Sequence, residues 1–378
     1  MGKVFRRFAI CFTLSLCVSI SAINAQILQD TASLKLVKKG IDSVYNMHFA
    51  YAHEALRKIS QLYPEHPVVI LFKCTITYWE NYPLLSNSVA ASSFEKDMRL
   101  CISLCEKNKN PSYVAEYLLA NLCARGLLLT FYADNDQNND VFPLATSTYP
   151  LIKRSFDFTS VYSDFFFFTG LYNYYRDVYP KVHPIFRPLT LFFRKGNKIK
   201  GLEELQIAAQ KSILLKAESF SDLSYINISY ENNYLKASYF SKHLHDLYPD
   251  NPGYLAEYVK NLLLVKKYDE ADSLVLSSGT NQVKSYYQAQ MAIFKGIIEE
   301  KKYHDYKFAQ QYYNVGVRDM TGFGAYGNEY IAYAYFGLSR IFGINGDKEN
   351  QKAYRKRAMK LADLKLSLIH ISEPTRPY

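Results

Sequence analysis

Several residue types and patterns that mark catalytic or nucleic-acid-binding proteins are scarce in this sequence. The 378 residues include one Trp, six Cys, six Met and eight His. No Cys-x-x-Cys pair or Cys/His cluster at zinc-ligand spacing occurs, which excludes structural zinc and thioredoxin-like chemistry. The formal charge is +10, but the basic residues are scattered among acidic ones and form no run of five. Nucleic acid is therefore not indicated as a partner, and a mild preference for anionic partners or membrane surfaces is all that the charge supports. No period-2 alternation long enough for strands is present. Beyond residue 25 no apolar run reads as long enough to cross a bilayer; Phe165 to Phe168 is the most intense, but it is short and Asp164 abuts it.

What is present is apolar and aromatic. Hydrophobic residues make up 49% and charged residues 21%, a balance that excludes wholesale disorder. Aromatics reach 16%, nearly all of them the 34 Tyr and 24 Phe. Such side chains suit wedge-shaped gaps between helices, because a Tyr fills a groove while its hydroxyl stays wet. The N-terminus has the order of a secretory signal: basic Lys3, Arg6 and Arg7, an apolar run from Phe8 to Ile20, then Ser21-Ala22-Ile23-Asn24-Ala25. Export is expected, to the periplasm or an outer-membrane assembly, with cleavage after Ala25. Removing the three basic residues lowers the charge from +10 to +7. Acylation at Cys17 is disfavoured, because bulky Leu16 stands where a small residue normally precedes the lipidated cysteine. Cys11 and Cys17 leave with the signal. Of the remaining cysteines, Cys101 and Cys105 lie on the apolar face of one expected helix, so Cys74, Cys101, Cys105 and Cys123 are read as small core residues, although an oxidising envelope would permit disulfides.

Internal self-similarity organises the rest. Tyr234-Leu235-Lys236-Ala237 and Tyr268-Asp269-Glu270-Ala271 share Tyr-x-x-Ala, and 268 − 234 = 34. Between them, Leu247-Tyr248-Pro249 ends one helix, and Leu255, Tyr258, Val259, Leu262 and Leu263 mark the apolar face of the next. Phe49-Ala50-Tyr51-Ala52 with Leu62-Tyr63-Pro64 repeats the cassette. Tyr306-Lys307-Phe308-Ala309 makes another copy, and Tyr354 with Ala358 a degenerate one.

The chain on these residues resembles the tetratricopeptide repeat (TPR) family, whose motif places an aromatic residue three before an Ala and a Pro twelve after it. Here 249 − 237 = 12 and 64 − 52 = 12. The resemblance implies an all-α, TPR-like α-solenoid of antiparallel helix pairs over residues 26–366, in which Phe49, Ala52, Pro64, Tyr234, Ala237, Pro249, Tyr268, Ala271, Tyr306 and Ala309 pack the repeats. The usual Leu-Gly pair of first helices is missing, as at Tyr258-Val259. Residues 26–135 form N-terminal repeats, 136–215 a divergent middle and 216–366 C-terminal repeats. In the middle, Gly170-Leu171-Tyr172-Asn173, a Pro-rich connector and Gly201-Leu202-x-x-Leu205-x-x-Ala208 are similar to a block of the TPR-related inclusion-body-clearance family. Helices are expected at Ser33–Tyr45, Phe49–Tyr63, Val68–Glu80, Ala91–Glu106, Tyr113–Tyr132, Pro143–Phe156, Val161–Tyr179, Lys200–Leu214, Ala217–Tyr230, Tyr234–Tyr248, Gly253–Lys266, Tyr268–Leu276, Gln282–Lys301, Tyr306–Val317, Tyr326–Phe342 and Lys348–Leu364. Residues 367–378 break the pattern and resemble translated adapter sequence, so they are set aside as a non-native tail.

Motifs of chemistry mostly dissolve on inspection. Gly196-x-x-x-x-Gly201 has P-loop glycine spacing, but Leu202-Glu203 replaces the required Lys and Ser/Thr. Asp134, Asp136, Asn138 and Asp140 alternate like the start of a calcium loop. Asn139 stands where Gly is needed and Ala145 where the bidentate Glu belongs, so the segment reads as a hydrated interhelix loop while remaining the best metal candidate. His243 and His245 lie too far round a helix to share an ion, and His48 and His53 match one face poorly. No nucleophile elbow occurs, and neither a catalytic set nor a cofactor is expected. First helices of a TPR stack line a concave groove, so the resemblance assigns Ala256, Glu257 and Lys260 to a partner-binding surface; only Lys260 suits the carboxylate-clamp pattern of some members. The expected function is a non-catalytic envelope adaptor that binds an unidentified protein or peptide. The alternative is an exported hydrolase or glycan-handling protein whose site local motifs do not reveal.

Overall fold

The aromatic residue of each Tyr/Phe-x-x-Ala cassette is the first residue of a helix, and the Ala one turn later is sealed inside the stack. A computed structural model describes residues 26–188, 193–278 and 285–361. Within them the chain runs α1 Thr31–Tyr45, α2 Phe49–Leu62, α3 Pro67–Glu80, α4 Val89–Lys107, α5 Val114–Asp134, α6 Asn138–Ser155, α7 Phe165–Val182, α8 Lys198–Lys211, α9 Lys216–Ser229, α10 Tyr234–Leu247, α11 Pro252–Leu264, α12 Tyr268–Ser277, α13 Ser285–Ile298, α14 Tyr306–Met320, α15 Asn328–Ile344 and α16 Lys348–Leu361. No strand occurs among the described residues. Consecutive helices pack as antiparallel hairpins, and first helices also pack on first helices of the next hairpin, as in α1 on α3, α3 on α5, α11 on α13 and α13 on α15. The architecture is an all-α helical-repeat solenoid. The expected signal, residues 1–25, and the expected tail, residues 367–378, lie outside the described residues.

Local chemistry sets the boundaries. Asp30, Ser88, Asn197, Asn233, Asn251 and Asp305 each accept a backbone N–H from the first turn that follows, satisfying donors that a helix start leaves unpaired. Pro67 and Pro252 occupy first-turn positions where the missing N–H costs nothing. The turns inside the hairpins repeat a device that no sequence pattern announces. Met47, Asp136, Asn232, Lys266, His304 and Gly346 all adopt positive φ, from 51° to 79°, and each stands two residues before a second helix. A shared left-handed residue closes these hairpins, although only one of the six is glycine.

Small residues let the helices approach. Ala52, Ala237, Ala271 and Ala309 are 0% exposed. Phe49, Tyr234, Tyr268 and Tyr306 pack at the edge of the core, while Pro64 and Pro249 sit exposed in the turns after their helices. In the divergent middle, Gly170 and Gly201 face each other where α7 crosses α8: a Cβ on Gly201 would stand 2.6 Å from the Tyr174 nitrogen and 2.8 Å from the Gly170 carbonyl oxygen. Beside this crossing Asn173 Nδ2 donates to Glu204 Oε2 at 2.8 Å in a buried setting. The Gly-x-x-Asn and Gly-Leu-x-x-Leu-x-x-Ala block is thus a close helix crossing. Gly296 and Gly337 similarly make room for the fully buried Tyr313 ring.

Three expectations need correction. The helix expected from Pro143 starts earlier, at Asn138, because the Asp136 turn and first-turn Asp140 open it there, and Pro143 is carried inside it. Similarly, α7 begins at Phe165 and not at Val161. One segment, Pro111–Asp134, is long and apolar enough by length and composition to cross a membrane, contrary to the reading above, although most of it is buried in the protein. Among the described residues Cys74, Cys101, Cys105 and Cys123 are free and buried. Burial pushes the Cys74 and Cys123 thiols up, and the Cys101 thiol is raised by its Cys105 contact and by burial, so none of these three is a poised nucleophile.

If the sealed alanines set the hairpin spacing, Ala237→Leu or Ala309→Leu should cost about 1–3 kcal/mol by overpacking. The same change at exposed Ala50 should cost little. Urea denaturation of the three variants checks this.

Candidate functional site

The stack bends far enough for its beginning to meet its end. Asn251 Nδ2 donates to the Tyr45 carbonyl at 2.8 Å, the Tyr45 hydroxyl donates to the Leu214 carbonyl at 3.3 Å, and the Tyr326 hydroxyl donates to the Leu84 carbonyl at 3.2 Å. Rings fill the seam. The Tyr82 ring centroid lies 5.9 Å from Tyr286 and 5.6 Å from Tyr326, both edge-on, and 6.4 Å from Tyr287, stacked. Trp79, the only Trp of the chain, stacks on Tyr82 and meets Tyr254 edge-on at 5.5 Å. Much of the concave face is therefore filled by the protein's own N-terminal hairpins.

A cavity of about 220 Å³ remains between α3, α9, α11, α13 and α15. Trp79, Tyr82, Tyr254, Tyr286, Tyr287 and Tyr330 form its aromatic wall, and Glu257, Lys260, Gln290 and Ser221 bring the polar atoms. Tyr225, 38% exposed, stands at its rim. Hollows of about 290 and 380 Å³ elsewhere are lined by residues such as exposed Lys35 and Lys39, or Glu65 and Leu100. Neither combines aromatic rings with a buried ion pair.

Of the residues assigned from motif position, Glu257 and Lys260 line this cavity, whereas Ala256 points into the core and is 1% exposed. Around α11 Lys260 lies about 40° from Ala256 on one side and about 60° from Glu257 on the other, and the cavity lies on the Glu257 side. Ser221 Oγ donates to Glu257 Oε2 at 3.1 Å, and Lys260 Nζ lies 3.4 Å from Glu329 Oε1. Burial pushes the Glu257 carboxyl up, against the pull of Lys260 and the Ser224 and Ser221 hydroxyls. Burial opposes charge on Lys260, but Glu329 and Glu257 beside it more than offset this, so its pKa rises. On α9, burial pushes Glu218 up to about 7, although the Tyr45 hydroxyl that donates to it pulls the other way. Asp222 is also pushed up to about 7, by burial and by the charges of Glu218 and Glu257. Two carboxylates, Glu257 and Glu329, thus flank one ammonium.

The calcium candidates do not join this site. Asp134 ends α5, Asp136 is the left-handed turn residue, and Asn138 and Asp140 open α6. The Tyr78 hydroxyl donates to Asp134 Oδ2 at 3.4 Å. Among the described residues no group of three or more His, Cys, Asp or Glu is placed to hold a metal ion. His48 pairs with Asp250 and His53 with Glu80, both on the surface. Sequence reasoning missed Trp79, Tyr82, Tyr286, Tyr287, Gln290 and Tyr330. The abundance of Tyr was the only signal, and it does not say which rings meet.

No model of a known protein family matches the chain, and a search of curated proteins finds no match.

The Asp222 carboxyl gives a pH test. Its pKa rises from 3.8 to about 7 on folding, so between those values the folded state holds a proton that the unfolded state has lost. Stability from this group is complete below 3.8 and declines as pH rises to about 7. Asp222→Asn should therefore add little near pH 4, progressively more up to pH 7, and a constant increment above it. Urea midpoints of both proteins across this range check the sign.

Proposed function

We propose that this protein is an exported, non-catalytic TPR-type scaffold of the cell envelope, which holds a partner at the concave face of its helical stack. The observation that carries the proposal is the cavity built on Glu257 and Lys260, on a first helix where solenoids of this kind dock ligands. The aromatic-x-x-Ala cassettes, each opening a second helix with a sealed Ala, support membership of the TPR class. The n-region, apolar run and small residues before Gln26 support export.

A hydrolase or glycan-handling protein is the second reading, favoured by Glu218 and Asp222, whose carboxyls titrate near 7 as acid–base groups must. Against it, Ser221 donates to Glu257 and has no histidine base among the cavity's lining residues. Glu218 is engaged by the Tyr45 hydroxyl. A nucleophile activated by a positioned base is not assembled from these groups.

A photo-crosslinking residue in place of Tyr225 at the rim, expressed in the native host, tests the scaffold proposal. One discrete envelope adduct is expected from the rim, and none from the same residue in place of Val89, which is 90% exposed on the outer helix α4. Equal labelling from both positions, or turnover of chromogenic ester or glycoside substrates that Asp222→Asn abolishes, would overturn it.

A further inference from the structure

The polar atoms of the cavity are unevenly matched. Tyr287 is 1% exposed and Gln290 3% exposed. Both line the cavity, and both the Tyr287 hydroxyl and Gln290 Oε1 lack a hydrogen-bond partner within the protein. Gln290 Oε1 can only accept, and the Tyr287 hydroxyl can accept or donate, so a ligand that supplies donors satisfies both oxygens. The charges point the same way. Glu257 on α11 lines the cavity, and Lys260, the only cationic side chain among its lining residues, already pairs with Glu329 on α15 at 3.4 Å. Trp79 on α3, Tyr82 in the turn after it and the tyrosines on α11, α13 and α15 contribute rings, and ring faces attract cations.

We propose that this cavity binds a primary ammonium group carried on an aliphatic stem. The ammonium would donate to Gln290 Oε1, the Tyr287 oxygen and the Glu257 carboxylate, and the stem would lie along the rings of Tyr254 and Tyr286. An anion would meet the Glu257 carboxylate, with Lys260 already facing Glu329 at 3.4 Å and Glu257 beside it. A neutral sugar could stack on the rings but would bring no positive charge to the Glu257 carboxylate. The volume of about 220 Å³ lies below the ~300–1,000 Å³ of sites for drug-sized ligands, so one side-chain-sized group fills it. The local field thus opposes the positive overall charge, which had suggested anionic partners. This inference deepens the scaffold reading and rests on it, because the ammonium would be the handle by which a partner is held.

Calorimetric titration of the full mature chain at pH 8 tests it, with 1,5-diaminopentane and the amide of Nα-acetyl-lysine as probes. Pentanol, pentanoate and maltose serve as neutral, anionic and sugar comparisons. Saturable binding of at least one amine, absent for the three comparisons, supports the proposal. Binding of the lysine amide alone assigns the ammonium to a protein partner, and binding of the diamine alone to a free polyamine. Glu257→Gln should weaken binding by about tenfold. Tyr287→Phe, which keeps the ring and removes only the oxygen, should weaken it several-fold while the melting temperature is held or raised. No saturable amine binding, equal binding of pentanol, pentanoate or maltose, or unchanged affinity in both variants would overturn it. Loss of amine binding with the Tyr225 crosslink intact would sink this inference alone and leave the scaffold standing.

Discussion

The meeting of the first hairpins with the later ones, through the ring of Tyr82, is the contact on which the rest of the structure depends. A helical hairpin hides only part of its apolar surface, so hairpins must stack in series, and an ordinary solenoid leaves its concave face open to water. Here that face is short of solvent. Tyr82 reaches Tyr286, Tyr287 and Tyr326, Trp79 reaches Tyr254, and Tyr45 is held by Asn251 and Leu214. Each aromatic pair contributes about 0.5–1.5 kcal/mol beyond its buried area. The seam also fixes the cavity, because α3 supplies one wall and α9, α11, α13 and α15 the others.

That closure explains the unusual electrostatics. On an open groove Glu218, Asp222 and Glu257 would be well solvated and would titrate as ordinary carboxylates. Against the rings they lose water, and desolvation leads the causes that raise Glu218, Asp222 and Glu257. Lys260 keeps its charge in the same surroundings only because carboxylates flank it. The polar groups and the apolar wall thus act together: the rings lower the effective dielectric, and the lowered dielectric makes the uneven charge matter.

The helical fold was legible from the residues because its signals are local. The aromatic-x-x-Ala cassettes mark helix starts, and Asn and Asp caps mark the turns, all within a few positions of one another. The site was only half legible. Glu257 and Lys260 follow from their place on a first helix, yet Ala256, from the same argument, faces the core, since a motif position does not give the rotation of a helix against its neighbours. The wall was not legible. Tyr82 and Tyr286 stand more than 200 residues apart, and repeat logic relates only adjacent hairpins, so nothing in the spacing said that the chain would return upon itself. The left-handed turn residues were hidden for a different reason: Met47 and Lys266 are not residues that favour positive φ, so their side chains give no sign of it.

A double-mutant cycle between Tyr82 and Tyr326, with Tyr82→Leu, Tyr326→Leu and the pair compared by urea denaturation, measures the closure itself. The rings lie edge-on at 5.6 Å across the seam, so a coupling of about 0.5–1.5 kcal/mol is expected. Strict additivity, with a coupling indistinguishable from zero, would mean that the two ends of the stack do not meet in solution and that the cavity does not exist.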